Sequence, residues 1–314
     1  MKTIYFENGK PVEGALPVAA WNIHGGASTP TRRYSQSAGS LMPPAGGIFE
    51  TMRVYAGKIF CEKEHLARLT GSARISGLAC ALPKITEIQR QIRQAVKAYG
   101  KPEAVIRVTL TAGKILVMIG ERKTRPELYR EGIRLATTSV RRSLVHAAPP
   151  AAKSTDYINA VLATLELPPQ GVSAPAGGIN KPAAWPYRRI GVDEWVFLDT
   201  DGYVTEVRTG NLFIVEKGGK KPRLKTPPLS GILDGVTRRI VIECALSKGL
   251  AVLEEPLTRH EIYNAAEVFL TNTSWEVLPV RELDGRIIGE ALPGPITTQL
   301  HQLFKKRVLR ECHK

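Results

Sequence analysis

The sequence predicts an α/β (α+β) fold divided into two domains, on three observations. Its 314 residues exceed what one ordinary hydrophobic core accommodates, and about two domains is the expectation at that length. Segments that alternate apolar and polar residues in the manner of strands are interspersed with segments of helical periodicity. A Pro/Ala-rich link, RRSLVHAAPPAA, interrupts this pattern and marks the boundary between a smaller domain, 1–142, and a larger one, 143–314.

The first domain opens with TIYFENGK, which carries a turn at Asn8-Gly9. NIHGGASTPTRRYSQSAGSLMPPAGG, rich in Gly, Ser and Pro, reads as a long loop over 22–47. IFETMRVYAGKIF is a pair of strands joined by Ala56-Gly57-Lys58. In EKEHLARLTGSARISGL, Leu66, Leu69, Ala73 and Leu78 fall close to helical spacing; Leu66 and Leu69 point inward while His65 and Arg68 share a neighbouring face. KITEIQRQIRQAVKAYG is a second helix with Gly100 as its left-handed cap. AVIRVTLTAGKILVMIG alternates as two strands about Ala112-Gly113, and GIRLATTSV adds one more.

The second domain begins with Lys153 and a helix, DYINAVLATLE. Residues 167–191 then read as an insertion that either covers a pocket mouth, packs on a partner subunit or is a passive surface loop. EWVFLDTDGYVTEV is a hairpin about Asp201-Gly202, NLFIVEK a strand, and GVTRRIVIECALSKGL a helix stopped at Gly249. RHEIYNAAEVFLTNTSWEVLPV passes from helix to strand to turn.

Composition narrows the function. Hydrophobic and charged shares of 43% and 23% are those of a globular chain and set disorder aside. No run approaches the roughly 18 apolar residues of a membrane span. The start, MKTIYFENGK, lacks the apolar core of a secretory signal, so the expected location is the cytoplasm. Cys61, Cys80, Cys244 and Cys312 form no CxxC pair and have no His cluster nearby, so neither a disulfide framework nor a metal site is expected. The formal charge of +15 is spread over RKTRPELYR, VRRSL, YRRI, KGGKKPRLK and FKKRVLR with few aromatics between. These runs match no nucleic-acid motif and read as solvated faces.

One lysine stands apart. PPAAKSTDYINAVLATLE sets Lys153 among small, apolar and hydroxyl residues, four positions before Tyr157, where partial burial and a cationic neighbour would lower its pKa. Lys181 and Lys225 lie in no such segment. Arg68 in HLARLTGSA, Lys153 in KSTDY, Glu206 in YVTEVRTGNLF, Thr237 in GVTR and Thr273 in LTNTSWEVLPV follow one another along the chain. In that order they resemble the fold type IV (class IV) pyridoxal-phosphate-dependent enzymes, the family of branched-chain and D-amino-acid aminotransferases and aminodeoxychorismate lyase. The resemblance runs in pieces from about residue 46 to the C-terminus.

The resemblance implies a two-domain enzyme with pyridoxal 5′-phosphate in the interdomain cleft and a homodimer in which a neighbour's loop completes the site. Lys153 takes the Schiff-base position and shuttles a proton between the substrate α-carbon and the cofactor. Glu206 meets the ring nitrogen; Arg68, Val236, Thr237 and Thr273 hold the phosphate; Tyr157 lies near the ring oxygen or phosphate. The backbone N–H groups of Ser274 and Trp275 receive the substrate carboxylate, and Arg107 contacts the substrate. Val105-Ile106-Arg107 keeps the arginine of the branched-chain Tyr-x-Arg pattern and loses its tyrosine. Ala112-Gly113-Lys114 followed by ILVMI lacks the basic trap of the D-amino-acid enzymes, although GGIFETMRVYAGKIF is closer to the D-amino-acid and lyase branches. Trp275 stands where many relatives have a small residue. The implied activity is transfer of an amino group between an amino acid and a 2-oxo acid, with no metal. Aminodeoxychorismate lyase is the alternative within the family, and a noncatalytic basic binding protein on a decayed enzyme fold is the alternative of another class.

Overall fold

A computed structural model describes residues 3–12, 47–78, 83–111, 114–122, 125–142, 152–154, 159–160, 162–163, 192–218 and 221–313. The loop read over 22–47 (Gly47 apart), the turn at Ala112-Gly113, Cys80, Tyr157 and the insertion at 167–191 lie outside them.

The first half builds a six-stranded antiparallel sheet from β1 (Ile4–Glu7), β2 (Lys10–Val12), β3 (Ile48–Tyr55), β4 (Lys58–Ile59), β5 (Ala104–Thr111) and β6 (Lys114–Gly120) in the order β2-β1-β6-β5-β3-β4. The β3–β4 hairpin turns through Ala56 and Gly57, both at positive φ, as the two-residue connection requires. Two helices, α1 (Glu62–Ile75) and α2 (Ile85–Tyr99), cover one face. Leu66, Leu69 and Ala73 of α1 and Ile88, Ile92 and Ala95 of α2 pack on Ile48, Met52, Val54, Ile106 and Val108 of the sheet. Gly100 closes α2 at φ 70. The period of two in β3 therefore sends the even-numbered side chains, Glu50 among them, toward the helices, and Phe49, Thr51, Arg53 and Tyr55 to the other face.

The second, nine-stranded sheet takes β7 (Ile133–Arg141), β8 (Glu194–Leu198), β9 (Val204–Val207), β10 (Asn211–Val215), β11 (Arg223–Thr226), β12 (Ala251–Glu254), β13 (Glu267–Asn272) and β14 (Glu276–Leu283) in the order β12-β11-β10-β13-β14-β7-β8-β9, with β15 (Arg286–Ile287) on β14. It is mixed: β7 runs parallel to both β14 and β8, and β11 parallel to β12. Strand β7, placed from sequence at the end of the first domain, thus belongs to the larger sheet, where Ile133 and Leu135 join its core. The passage from sheet to sheet falls between Gly120 and Ile133, ahead of the Pro/Ala link, because strand pairing and not linker composition decides it.

Helices α3 (Leu128–Glu131), α4 (Val236–Leu246), α5 (Arg259–Tyr263) and α6 (Pro295–Cys312) complete this half. FKKRVLR, which reads from sequence only as a basic run, is the last part of α6. Leu300, Phe304, Val308 and Cys312, four apart, form the buried stripe of that helix against Phe213, Phe269 and Val277 and against α4. Glu267 caps its start, accepting from the N–H groups of Ile296 (2.9 Å) and Thr297 (2.7 Å) and from the Thr297 hydroxyl (2.7 Å). Glu267→Ala leaves those donors unmatched and is expected to destabilise the fold by about 2 kcal/mol, read from urea unfolding.

The two sheets meet at a buried carboxylate. Glu276, at φ 65 and 1% exposed, accepts from the Tyr55 hydroxyl of β3 (2.8 Å), His301 Nε2 (2.9 Å) and Lys305 Nζ (3.0 Å) of α6, with Arg53 Nη1 at 3.5 Å. Burial would raise this carboxyl, but the hydrogen bonds and charges of His301, Lys305 and Arg122 hold it at about 2. Among the described residues no helix is long and apolar enough to cross a membrane.

Candidate active site

Strand β3 carries the segment that holds Lys153. The Phe49 N–H donates to the Lys153 carbonyl (3.0 Å), Ile48 bridges Ser154, and the Lys153 N–H donates to the buried Ser72 Oγ of α1 (3.0 Å). The Lys153 ammonium then lies 4.5 Å from the centre of the Phe49 ring, and the guanidinium of Arg107 lies 3.7 Å from the same ring. Lys153 keeps some exposure as a residue, yet its ammonium is crowded by protein. Burial, then Arg68, push it down to about 8; Arg107 acts the same way, and Glu50 and Glu206 oppose. The charged residues named from sequence therefore converge on one amine.

Arg68 is anchored on three sides. Its Nε–H and Nη2 donate to the two oxygens of Glu50 (2.6 and 2.8 Å), and its Nη1 donates to the Asp234 carbonyl (2.8 Å). Glu50 is fully buried and is also bonded to His65 Nδ1 at 2.8 Å. Burial would raise the Glu50 carboxyl; the charge and hydrogen bonds of Arg68, with those of His65, bring it to about 2. Burial lowers the His65 imidazole.

Glu206, 6% exposed on β9, accepts from Asn211 Nδ2 (3.2 Å) and the Leu233 N–H (3.3 Å) and forms an ion pair with Arg142. Burial pushes its carboxyl up and Arg142 opposes that. Asn211 also donates to the Leu233 carbonyl (2.9 Å), which draws the turn before α4 against β10. Gly235, the residue before α4, sits so close that a Cβ there would come 2.1 Å from Asn211 Oδ1. This places the first N–H groups of α4, at Val236 and Thr237, on the same side as Arg68 and Glu206, and both residues are buried.

The turn between β13 and β14 holds Thr273, Ser274 and Trp275. Thr273 is half-buried, Ser274 buried, and Trp275 packs on the core of the larger sheet. The Trp275 N–H, expected to be open to a substrate carboxylate, donates to Asn272 Oδ1 (2.6 Å), and Asn272 in turn donates from Nδ2 to the Thr209 carbonyl (3.1 Å). A carboxylate at that N–H therefore competes with the Asn272 side chain. Arg107, 4% exposed on β5, faces Thr51 and Met118 across the smaller sheet, with Val105 two positions along on the same face.

Sequence reasoning does not reach Glu50, His65 as its partner, Arg142, Asn272 or Thr271. Thr271 pairs with Asn211 across the strands, and its hydroxyl is buried with no hydrogen-bond partner among the described residues. Of the neighbours of Glu206, Asn211 alone carries a signal, through the NLF triplet that follows the glutamate. The donor set suits a phosphorylated pyridine aldehyde: a guanidinium with two N–H bonds and a buried threonine hydroxyl that have no partner among the described residues, a helix start, a lysine of lowered pKa and a buried carboxylate. Among the described residues no group of three or more His, Cys, Asp or Glu is placed to hold a metal ion.

Comparison with known proteins agrees with this chemistry. The family model described as "Amino-transferase class IV" matches residues 47–174 and 187–283. A Methanocaldococcus jannaschii protein provisionally named a branched-chain-amino-acid aminotransferase is 36% identical over 272 residues, covering 82% of this chain and 86% of that protein. The crystal structure of the Escherichia coli branched-chain amino acid aminotransferase aligns with a TM-score of 0.73 at 26% identity over 96% of this chain and 93% of that one. The branched-chain aminotransferase of the thermophilic archaeon Thermoproteus uzoniensis, solved with norvaline, gives a TM-score of 0.72 at 28% identity over 99% and 96% of the two chains.

Proposed function

The chain belongs to the class IV aminotransferases, and from that membership we propose that it moves an amino group between branched-chain L-amino acids and 2-oxo acids with pyridoxal 5′-phosphate. When bound, the cofactor supplies the aldehyde that receives the amino group and a ring that withdraws electrons from the substrate α-carbon. The observation that carries the reading is Lys153, an amine lowered to about 8 and flanked by Arg68 and Glu206. An ordinary lysine is almost wholly protonated at neutral pH; this one keeps a usable share of free amine. Its Nζ would hold the cofactor aldehyde and would carry a proton to and from the substrate Cα.

Glu206 would keep the ring nitrogen protonated, and Arg142 beside it opposes the upward push that burial gives its carboxyl. Arg68, the start of α4 at Val236 and Thr237, and Thr273 hold the phosphate. The Ser274 N–H, and that of Trp275 once released by Asn272, receive the substrate α-carboxylate. Val105 and Met118, apolar on the face that bears Arg107, suit a branched side chain, and the Arg107 guanidinium suits a second carboxylate when the partner is a 2-oxo diacid. The enzyme works as a cytoplasmic homodimer.

The test supplies the holoprotein with 2-oxoglutarate and, in turn, leucine, isoleucine, valine, D-alanine and aminodeoxychorismate while glutamate and pyruvate are assayed. Glutamate from the branched-chain L-donors is the expected result. Pyruvate formed only from aminodeoxychorismate would establish the lyase instead, and a colourless protein holding nucleic acid through high salt would establish a binding protein.

A further inference from the structure

We propose that Glu50, backed by His65, is a positioning residue that clamps Arg68 into the one orientation in which its open end faces the cofactor phosphate. The inference rests on the cofactor reading above and adds to it the device that aims the arginine.

A guanidinium has five N–H bonds. In Arg68 the Nε–H and one Nη2 hydrogen are taken side-on by Glu50, and one Nη1 hydrogen by the Asp234 carbonyl. Among the described residues two are left over, one on each Nη, and a phosphate can accept from both. An arginine on a helix surface would otherwise sample many rotamers, and ordering it on binding would weaken the complex. The clamp sets that order before any ligand arrives.

Glu50 serves nothing else among the described contacts. It is 0% exposed on the face of β3 that also bears Ile48 and Met52, which share one apolar core with Leu66 and Leu69 of α1. A carboxylate there is costly unless every lone pair finds a donor, and Arg68 and His65 are the donors it has. An apolar residue would fill the same layer without that cost, so the position is explained by what it does to Arg68. Its place on β3 adds a second constraint. The adjacent residue, Phe49, ties down the Lys153 carbonyl, so consecutive residues of one strand set the lysine and the arginine that would hold the aldehyde and the phosphate arm, neighbouring substituents of the cofactor ring. The spacing of those two anchors is then set by a strand paired on both sides within the six-stranded sheet.

The test measures binding to the full-length apoprotein of two probes, pyridoxal 5′-phosphate and pyridoxal, which differ only in the phosphate. Glu50→Gln keeps the size of the side chain and removes one of Arg68's acceptors. Its dissociation constant for pyridoxal 5′-phosphate is expected to rise about tenfold or more, with pyridoxal changing by less than about twofold. The ³¹P resonance of the bound phosphate should shift in the same variant, a change that loss of packing elsewhere would not produce. His65→Gln should show a smaller loss in the same ratio, and it decides the matter if Glu50→Gln does not fold. Folded variants that keep the native preference for the phosphorylated probe overturn the clamp. A native protein with no such preference would instead overturn the cofactor reading itself.

Discussion

Lys153→Ala is expected to lower turnover by about four orders of magnitude or more while leaving the chain folded, since both the covalent anchor and the proton carrier are lost together. The stability effect has a sign that a merely structural lysine would not show. Burial and Arg68 depress this ammonium from 10.5 to about 8, so between those values the unfolded chain binds more protons than the folded one. Stability attributable to this group therefore rises with pH across that window, and below about 8 the folded protein bears the whole cost of a charged amine in a crowded site. The cost is on the order of 3 kcal/mol as an upper figure, because the residue keeps some exposure. The alanine apoprotein should unfold at a higher temperature than the native apoprotein at pH 7, and the gap should close as pH is raised toward 10.5. Scanning calorimetry at several pH values and a glutamate assay measure the two effects. Native turnover in the variant would remove Lys153 from the chemistry.

Glu206→Gln is expected to cost about two to three orders of magnitude in kcat while the protein still binds its cofactor, because the amide cannot stabilise a protonated ring nitrogen. It also strands Arg142, whose guanidinium loses its carboxylate partner. A second consequence separates this from general damage. Glu206 raises the pKa of Lys153, so removing its charge lets the amine deprotonate more readily, and the acid limb of the pH–rate profile should move to lower pH. A variant with native kcat, or an acid limb that moves upward, contradicts the role given to Glu206.

Much of the local structure can be read from the chain because its causes are local. The turns at Asn8-Gly9 and Ala56-Gly57, the Leu66–Leu69 face of α1 and the Gly100 cap all follow from neighbouring residues. The same holds for the site residues met through the resemblance, Lys153, Arg68 and Glu206, which the fold brings to bear on one another. What escapes depends on pairing across long separations. Nothing in GIRLATTSV tells that it joins β14, about 150 residues ahead. Glu50 looks like an ordinary polar position in an alternating strand until α1 lays Arg68 and His65 over it. Arg142 sits in a basic run like several others, and only the return of β9 beside it makes it the partner of Glu206. The stripe of α6, Leu300, Phe304 and Val308, is legible by its spacing but is masked by the lysines and arginines between.

The carboxylate of Glu276 restricts how this molecule can open. It takes donors from the smaller sheet at Tyr55 and from α6 at His301 and Lys305, while its own strand belongs to the larger sheet. Sliding one sheet past the other would strip a buried anion of its partners, at about 3–5 kcal/mol. Rotation about that corner leaves them in place. A motion that keeps this anion paired must therefore turn about the Glu276 corner.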